Sequence, residues 1–294
     1  MHEDILAGAY DLHVHTGPDV LPRKLDDLEM ADRLMRIGMK GHGIKNHYFC
    51  TAERARLLNA FRPGYNAVGG LCLNNTSGGL NPVAVEMAAR DGAKIVWMPT
   101  FDSANEQEHI RRSPPDKLPH WAQLRMEYER LGKPLPTIRI LEDGRLTKAA
   151  SEVLEVIAGH GLILATGHLG KEEVLVLVKE ALRRGIRKVV VTHPNFPSLR
   201  LTKEEQKELA ELGAFMEHCY TTPNTGKDTW ESVCEQIRHV GPERCILSTD
   251  LGQPAGPYPD EGLMDFVGKL LEGGFRKDEI RRMTAENTSC LVES

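Results

Sequence analysis

The chain has no Cys-x-x-Cys pair, no stripe of basic residues, and no apolar run near the roughly 18 residues of a membrane span. Each absence removes a class of function. Cys50, Cys72, Cys219, Cys234, Cys245 and Cys290 are scattered, which argues against a structural zinc knuckle and for reduced, mostly buried thiols, so any metal must rely on His and carboxylate. A formal charge of −5 with both signs interspersed speaks against nucleic acid, and the lack of a spanning run speaks against a membrane, leaving a small molecule as the expected partner. The opening Met1-His2-Glu3-Asp4 lacks the positive start and apolar stretch of a secretory signal, so a cytoplasmic location is expected. No low-complexity tract is present.

What is present is alternation. Short apolar runs occur at Tyr10 to His15, His42 to His47, Asn66 to Leu73, Lys94 to Met98, Leu162 to Thr166, Lys188 to Thr192, Ala214 to His218 and Cys245 to Thr249, eight candidate strands in all. Amphipathic stretches separate them, such as Lys171 to Arg184, with Val174, Leu175, Val178 and Leu182 at helical spacing and Gly185 as the stop. Strands alternating with helices demand parallel pairing, and eight such units close a barrel in about 250 residues. The 294 residues are therefore read as one α/β domain, a (β/α)8 TIM barrel. The rhythm breaks from Phe101 to Asp143, where Pro114, Pro115, Pro119, Pro134 and Pro136 accompany Arg111, Arg112, Trp121 and Tyr128. This is an insertion after strand four, expected to act as a lid or an oligomer contact.

Chemistry enters with Asp11-Leu12-His13-Val14-His15-Thr16. Side chains two apart on a strand share a face, so His13 and His15 can grip one ion, and Gly17-Pro18 ends the strand just beyond them. Strand five runs out at Gly167-His168, strand six at His193-Pro194-Asn195 and strand eight at Thr249-Asp250. In a closed barrel the carboxyl ends of parallel strands meet at one mouth. Each residue alone has a plain reading as a hydrogen-bonded histidine or a helix-capping aspartate. Five of them at the ends of four strands argue for a metal site made of His13, His15, His168, His193 and Asp250.

These residues resemble the pattern of the amidohydrolase superfamily: His-x-His on strand one, His on strands five and six, Asp on strand eight. The resemblance covers nearly the whole chain. It implies a distorted barrel of the metal-dependent hydrolase type that binds one or two divalent ions, with a metal-activated hydroxide as nucleophile. By that resemblance His13, His15 and Asp250 hold the more buried ion, His168 and His193 hold the second, and Asp250 doubles as the catalytic proton shuttle. Imidazole ligands suit zinc first, with manganese, nickel or iron as alternatives. One departure stands out. Many two-metal relatives bridge their ions with a carboxylated lysine or a glutamate on strand four, where this chain has Trp97-Met98-Pro99-Thr100. Asp102 lies slightly beyond, and Lys45 and His47 on strand two share a face, so Lys45 and His47 are the candidate bridging or substrate-binding residues.

The leading expectation is a cytoplasmic hydrolase of an amide, cyclic amide, lactone or ester bond in a small polar metabolite, and a homo-oligomer is compatible with the insertion. A mononuclear decarboxylase or hydratase of the same superfamily is the second reading. A phosphoesterase of the polymerase-and-histidinol-phosphatase type is the third, disfavoured because that family has seven barrel units and an Asp-His on strand two, where this chain has Asn46-His47. A metal-retaining barrel that only binds or assembles is the non-enzymatic reading. Glu217 is expected to accept from a ligand histidine, with His218 on the opposite face.

Overall fold

The computed structural model describes residues 3–114 and 118–293; Met1, His2 and Pro115 lie outside them. Eight buried strands recur along the chain: β1 (Tyr10–Val14), β2 (Gly41–Ile44), β3 (Gly70–Cys72), β4 (Ile95–Trp97), β5 (Ile163–Ala165), β6 (Val189–Thr192), β7 (Phe215–Cys219) and β8 (Cys245–Ser248). All pairings among them are parallel. β3 to β8 form one sheet in sequence order, and β1 pairs with β2. Two single bridges join these pieces into a ring. Gly43 meets Val68 ahead of β3, and Val14 meets Leu251 beyond β8. Asp250 N–H donates to His13 O at 2.8 Å and His15 N–H to Leu251 O at 2.8 Å, so the closing seam runs through three of the five residues of the expected metal site.

Most expected strands are longer than those observed, and at β1 and β2 the ends that carry polar side chains leave the ladder to form the mouth. His15, Lys45, His47, His168 and His193 all sit just past their strands. The helices start and stop where local chemistry directs. Asp26 and Glu29 form a capping box at the helix Asp27–Arg36, and Thr202 and Glu205 do so at Lys203–Leu212. The helix Lys171–Arg183 buries Val174, Leu177, Val178 and Ala181, while Leu175 and Leu182 sit at the border of the stripe. The segment after β4 is itself structured, with helices Ala104–Arg112 and His120–Arg130 and a small hairpin of Leu141–Glu142 and Arg145–Leu146.

Two apolar layers divide the work. The larger fills the space between strands and helices. The smaller fills the barrel interior, where Tyr10, Leu12, Ile95, Trp97, Ile163 and Phe215 pack together, and Leu291 and Val292 of the last helix (Asn287–Glu293) join them from below. β1 changes face part-way along. Its register against β2 slips between Asp11 and Val14, which pair with His42 and Ile44, so β1 carries one extra residue. Below the bulge Tyr10 and Leu12 face inward; above it Val14 turns out into the helix layer. His13 and His15 therefore point in over the floor made by Trp97, with the His13 and Trp97 rings 6.3 Å apart.

Gly43 lies against the bulge. A Cβ there would come within 2.4 Å of Leu12 O, which leaves no room for any side chain. Gly43→Ala is expected to destabilise the fold by about 1–3 kcal/mol through overpacking, read as a lowered denaturation midpoint, and to weaken metal retention because His13 follows the displaced residue.

Candidate metal centre at the barrel mouth

His13, His15 and Asp250 meet at one point. Asp250 Oδ1 is 3.0 Å from His13 Nε2 and 3.1 Å from His15 Nε2, and these three atoms all lie within 4.8 Å of one another. Glu217 Oε2 contacts His13 Nδ1 at 3.1 Å while its other oxygen accepts from Ser248 Oγ at 2.9 Å. That contact fixes the ring so that Nε2 faces the meeting point. Cys219 Sγ lies 3.8 Å from the same Nδ1, behind the ring. Glu217 and Ser248 alternate inward with the apolar Phe215 and Ile246 beneath them, as the period-two rule requires. His218 accordingly points outward, away from the site.

His168 and His193 form a second group, with ring centroids 4.9 Å apart, and His193 is 6.1 Å from His13. Glu106 Oε2 approaches His168 Nδ1 at 3.4 Å. This buried glutamate comes from the inserted helix Ala104–Arg112, and sequence reasoning missed it because an acidic residue on a charged helix carries no spacing signal. Phe196 covers the pair, 4.6 Å from the His193 ring. His193 (φ 28°) and Asp250 (φ 54°) are two of only four non-glycine residues with positive φ among the described residues. Such backbones cost of order 1–3 kcal/mol each and persist where surrounding structure holds them.

The other candidates are placed as follows. Lys45 is fully buried, with Nζ 2.8 Å from His13 Nε2, so its ammonium sits beside the meeting point of the three donors. His47 lines the mouth, stacked on His15 at 4.9 Å, with Nδ1 against Thr100 Oγ1 at 2.9 Å. Asn74 holds both, donating to His47 O and Thr100 Oγ1, so the loop after β3 braces His47 rather than reaching into the cavity. Asp102 does not reach the site. It is bound to the buried Arg125 and to Asn75 N–H, within the base of the insertion. Trp97 occupies the strand-four position, and its bulk needs Gly70 beneath it, where a Cβ would meet the ring at 2.4 Å. Arg112 pairs with Glu108 on the exposed face of its helix.

Burial sets most of the titration behaviour. It lowers the pKa of His15 to about 3, reinforced by Arg23, and it lowers His168 against the opposing pull of Glu106. His47 and His193 are pushed down by burial and by the neighbouring cations and imidazoles. These rings are neutral at pH 7, the state a metal ligand requires. His13 is the exception: burial and Lys45 lower it, but Asp250 and Glu217 on either side prevail and raise it to about 9. Burial would raise Asp250, yet His13 and His15 hold it well below the carboxylate range. A position that draws protons between two carboxylates is one that favours a cation. The donor set thus fits a divalent ion on two counts, convergent lone pairs and a local surplus of negative potential.

A cavity of ≈ 660 Å³ opens above these residues, lined by His15, Lys45, His47, His168, His193 and Asp250 at its base. Asp250 keeps 18% of its side chain exposed there, which leaves its carboxylate within reach of a bound molecule. Glu106, His109, Ile110 and Trp121 from the insertion form part of the wall.

A model of the family described as a family of unknown function (DUF6282) matches residues 8–217, a span that ends at Glu217 and so stops before Asp250. No curated protein matches the sequence. Among solved structures, an amidohydrolase from Pseudomonas aeruginosa aligns with a TM-score of 0.66 at 13% identity, over 99% of this chain and 97% of that one. A lactonase from Listeria monocytogenes aligns at 0.53 and 14% identity, over 97% and 94%. An enamidase described as a member of the amidohydrolase superfamily aligns at 0.58 and 13%, over 98% of this chain and 68% of that one. The fold is that of the amidohydrolase-superfamily barrels.

The contact between Glu106 and His168 has a measurable consequence. In Glu106→Gln the ring loses the charge that orients it, and metal titration followed by elemental analysis should show affinity at the His168–His193 position falling about 10- to 100-fold. Affinity at the His13–His15–Asp250 position should be unchanged.

Proposed function

Because the chain belongs to this family of unknown function and carries an amidohydrolase-type barrel, we propose that it is a metal-dependent hydrolase cleaving an amide, cyclic amide, lactone or ester bond of a small polar metabolite. The observation that carries the reading is the convergence of His13 Nε2, His15 Nε2 and Asp250 Oδ1 at the base of the cavity. His13, His15 and Asp250 would hold one ion, and His168 and His193 a second, zinc being the first choice for such an imidazole-rich set. A divalent ion bound there supplies Lewis acidity toward a scissile carbonyl and toward water.

The chain's own residues supply the rest. Asp250 is ionised, faces the cavity and has Oδ2 held by Thr221 Oγ1 at 3.1 Å, so it is positioned to take a proton from the attacking water and return it to the leaving group. Glu217 keeps His13 in one tautomer. Lys45, beside His13, either bridges the two positions after carboxylation or neutralises negative charge on the substrate, and His47 offers its remaining nitrogen to the substrate. The insertion acts as a lid, a role supported by the side chains it contributes to the cavity wall, and an oligomer contact is the alternative use of its outer surface.

Absence of a strand-four ligand favours keeping one alternative, a mononuclear decarboxylase or hydratase. The seven-unit phosphoesterase reading fits poorly with a ring of eight strands. A barrel that only binds or assembles needs no reachable carboxylate, whereas Asp250 is reachable. No helix among the described residues is long and apolar enough to cross a membrane; action in the cytoplasm is part of the same proposal.

Elemental analysis of protein purified without chelator tests the reading directly. About two ions per chain, falling to one in His168→Ala, is the expected result for the binuclear hydrolase; one ion indifferent to His168→Ala would move the assignment to the mononuclear enzyme. Asp250→Asn is expected to keep most of the metal and to lose turnover of amide and lactone substrates by about 100-fold or more, the range of a lost general acid–base group. Protein without metal in any preparation would overturn the proposal.

A further inference from the structure

The cavity above the metal centre carries cationic donors that the proposed chemistry does not use. Among the described residues that line it, the carboxylates are Glu106, committed to His168, and Asp250, committed to His13 and His15. Against them stand Arg23 and Lys227, neither of which touches the five residues of the centre.

Arg23 comes from the loop after β1, which folds back over the mouth through Gly17 N–H to Leu25 O and Lys24 N–H to Gly252 O. Its side chain is 6% exposed, and Asp19, whose side chain is buried, takes Nε at 2.6 Å. That side-on contact through Nε orients the guanidinium and leaves its two Nη groups with no hydrogen-bond partner among the described residues. The group lines the same cavity as His15 and His47, and its charge is felt at both. A shielded arginine fork with unused donors is what planar recognition of a carboxylate requires. Lys227 is exposed at the rim, with Nζ 4.4 Å from the Phe196 ring centroid and no carboxylate partner among the described residues. Trp121, Phe196, Ile110 and Leu21 give the same cavity an apolar wall.

We propose that Arg23 and Lys227 form a carboxylate subsite, so that the substrate is an organic anion with an apolar body lying against Trp121 and Phe196 and its scissile bond at the metal centre. This names the substrate class of the hydrolase proposed above and rests on that reading. The anion contacts are nevertheless separable from the ion, because they are made by residues that hold no metal.

Isothermal titration with benzoate and phthalate, with neutral dimethyl phthalate and with inorganic phosphate, on both zinc-loaded and chelator-treated protein, tests it. Arg23→Gln is the first variant. Because it leaves Asp19 without its partner, Lys227→Gln at an exposed position is the second. Expected is phthalate binding in both metal states, weakened about tenfold or more by Arg23→Gln and a few-fold by Lys227→Gln, with dimethyl phthalate bound weakly and equally by all three proteins. Phthalate affinity unchanged in both variants would place the carboxylate on the ion alone and overturn the subsite. So would inorganic phosphate binding as tightly as phthalate, which describes a bare anion site, or a folded wild type that binds neither aromatic acid. If the protein takes up no metal while the dependence on Arg23 persists, the hydrolase reading falls and the anion subsite stands.

Discussion

Between Asp11 and Val14 the first strand holds one residue more than its neighbour, and that bulge decides which side chains the barrel presents at its mouth. Without it, the face that carries Tyr10 and Leu12 into the interior would carry Val14 there as well, and the polar face with His13 and His15 would look outward into the helix layer. With it, apolar filling below gives way to two imidazoles above, on a single short strand. The seam between β1 and β8 then draws Asp250 against them through backbone hydrogen bonds on either side. Gly43 accepts the bulge, Trp97 floors it and Glu217 braces it, so residues from three other strands serve one local irregularity.

A second constraint is electrostatic. Burying histidines in a group keeps most of them neutral, since a charged ring would be desolvated and surrounded by like neighbours. The exception at His13 arises where Asp250 and Glu217 press from opposite sides. Lys45 lies in the same field, its Nζ 2.8 Å from His13 Nε2. Protein interiors tolerate such concentrations of polar groups when every partner has a use, and the positive φ values at His193 and Asp250 mark where backbone comfort has been given up to reach the arrangement.

Much of this was legible in the residues. Continuous apolar runs marked the eight strands because strands covered on both faces cannot alternate, and a histidine or aspartate directly after such a run stands at a carboxyl end. The limits have physical causes as well. A bulge leaves no trace in composition, so spacing put His13 and His15 on one face without revealing that this face changes side. Glu106 lies on a helix whose charges read as a solvated surface, and only folding brings it beside His168. Asp102, close in sequence to the missing bridging ligand, is claimed by Arg125 from within the insertion, a contact between segments that proximity along the chain does not reveal. Arg23 was hidden in a loop whose path over the mouth depends on β8.

The last helix closes the lower end of the barrel with Leu291 and Val292, and Glu293 ties it to Tyr10 and Lys40. Together with the layer of Tyr10, Leu12 and Trp97 this stoppers the interior, making it a flask rather than a tube. Whatever enters by the mouth must leave by the same neck, past the same walls, so arrival of one molecule waits on departure of the last.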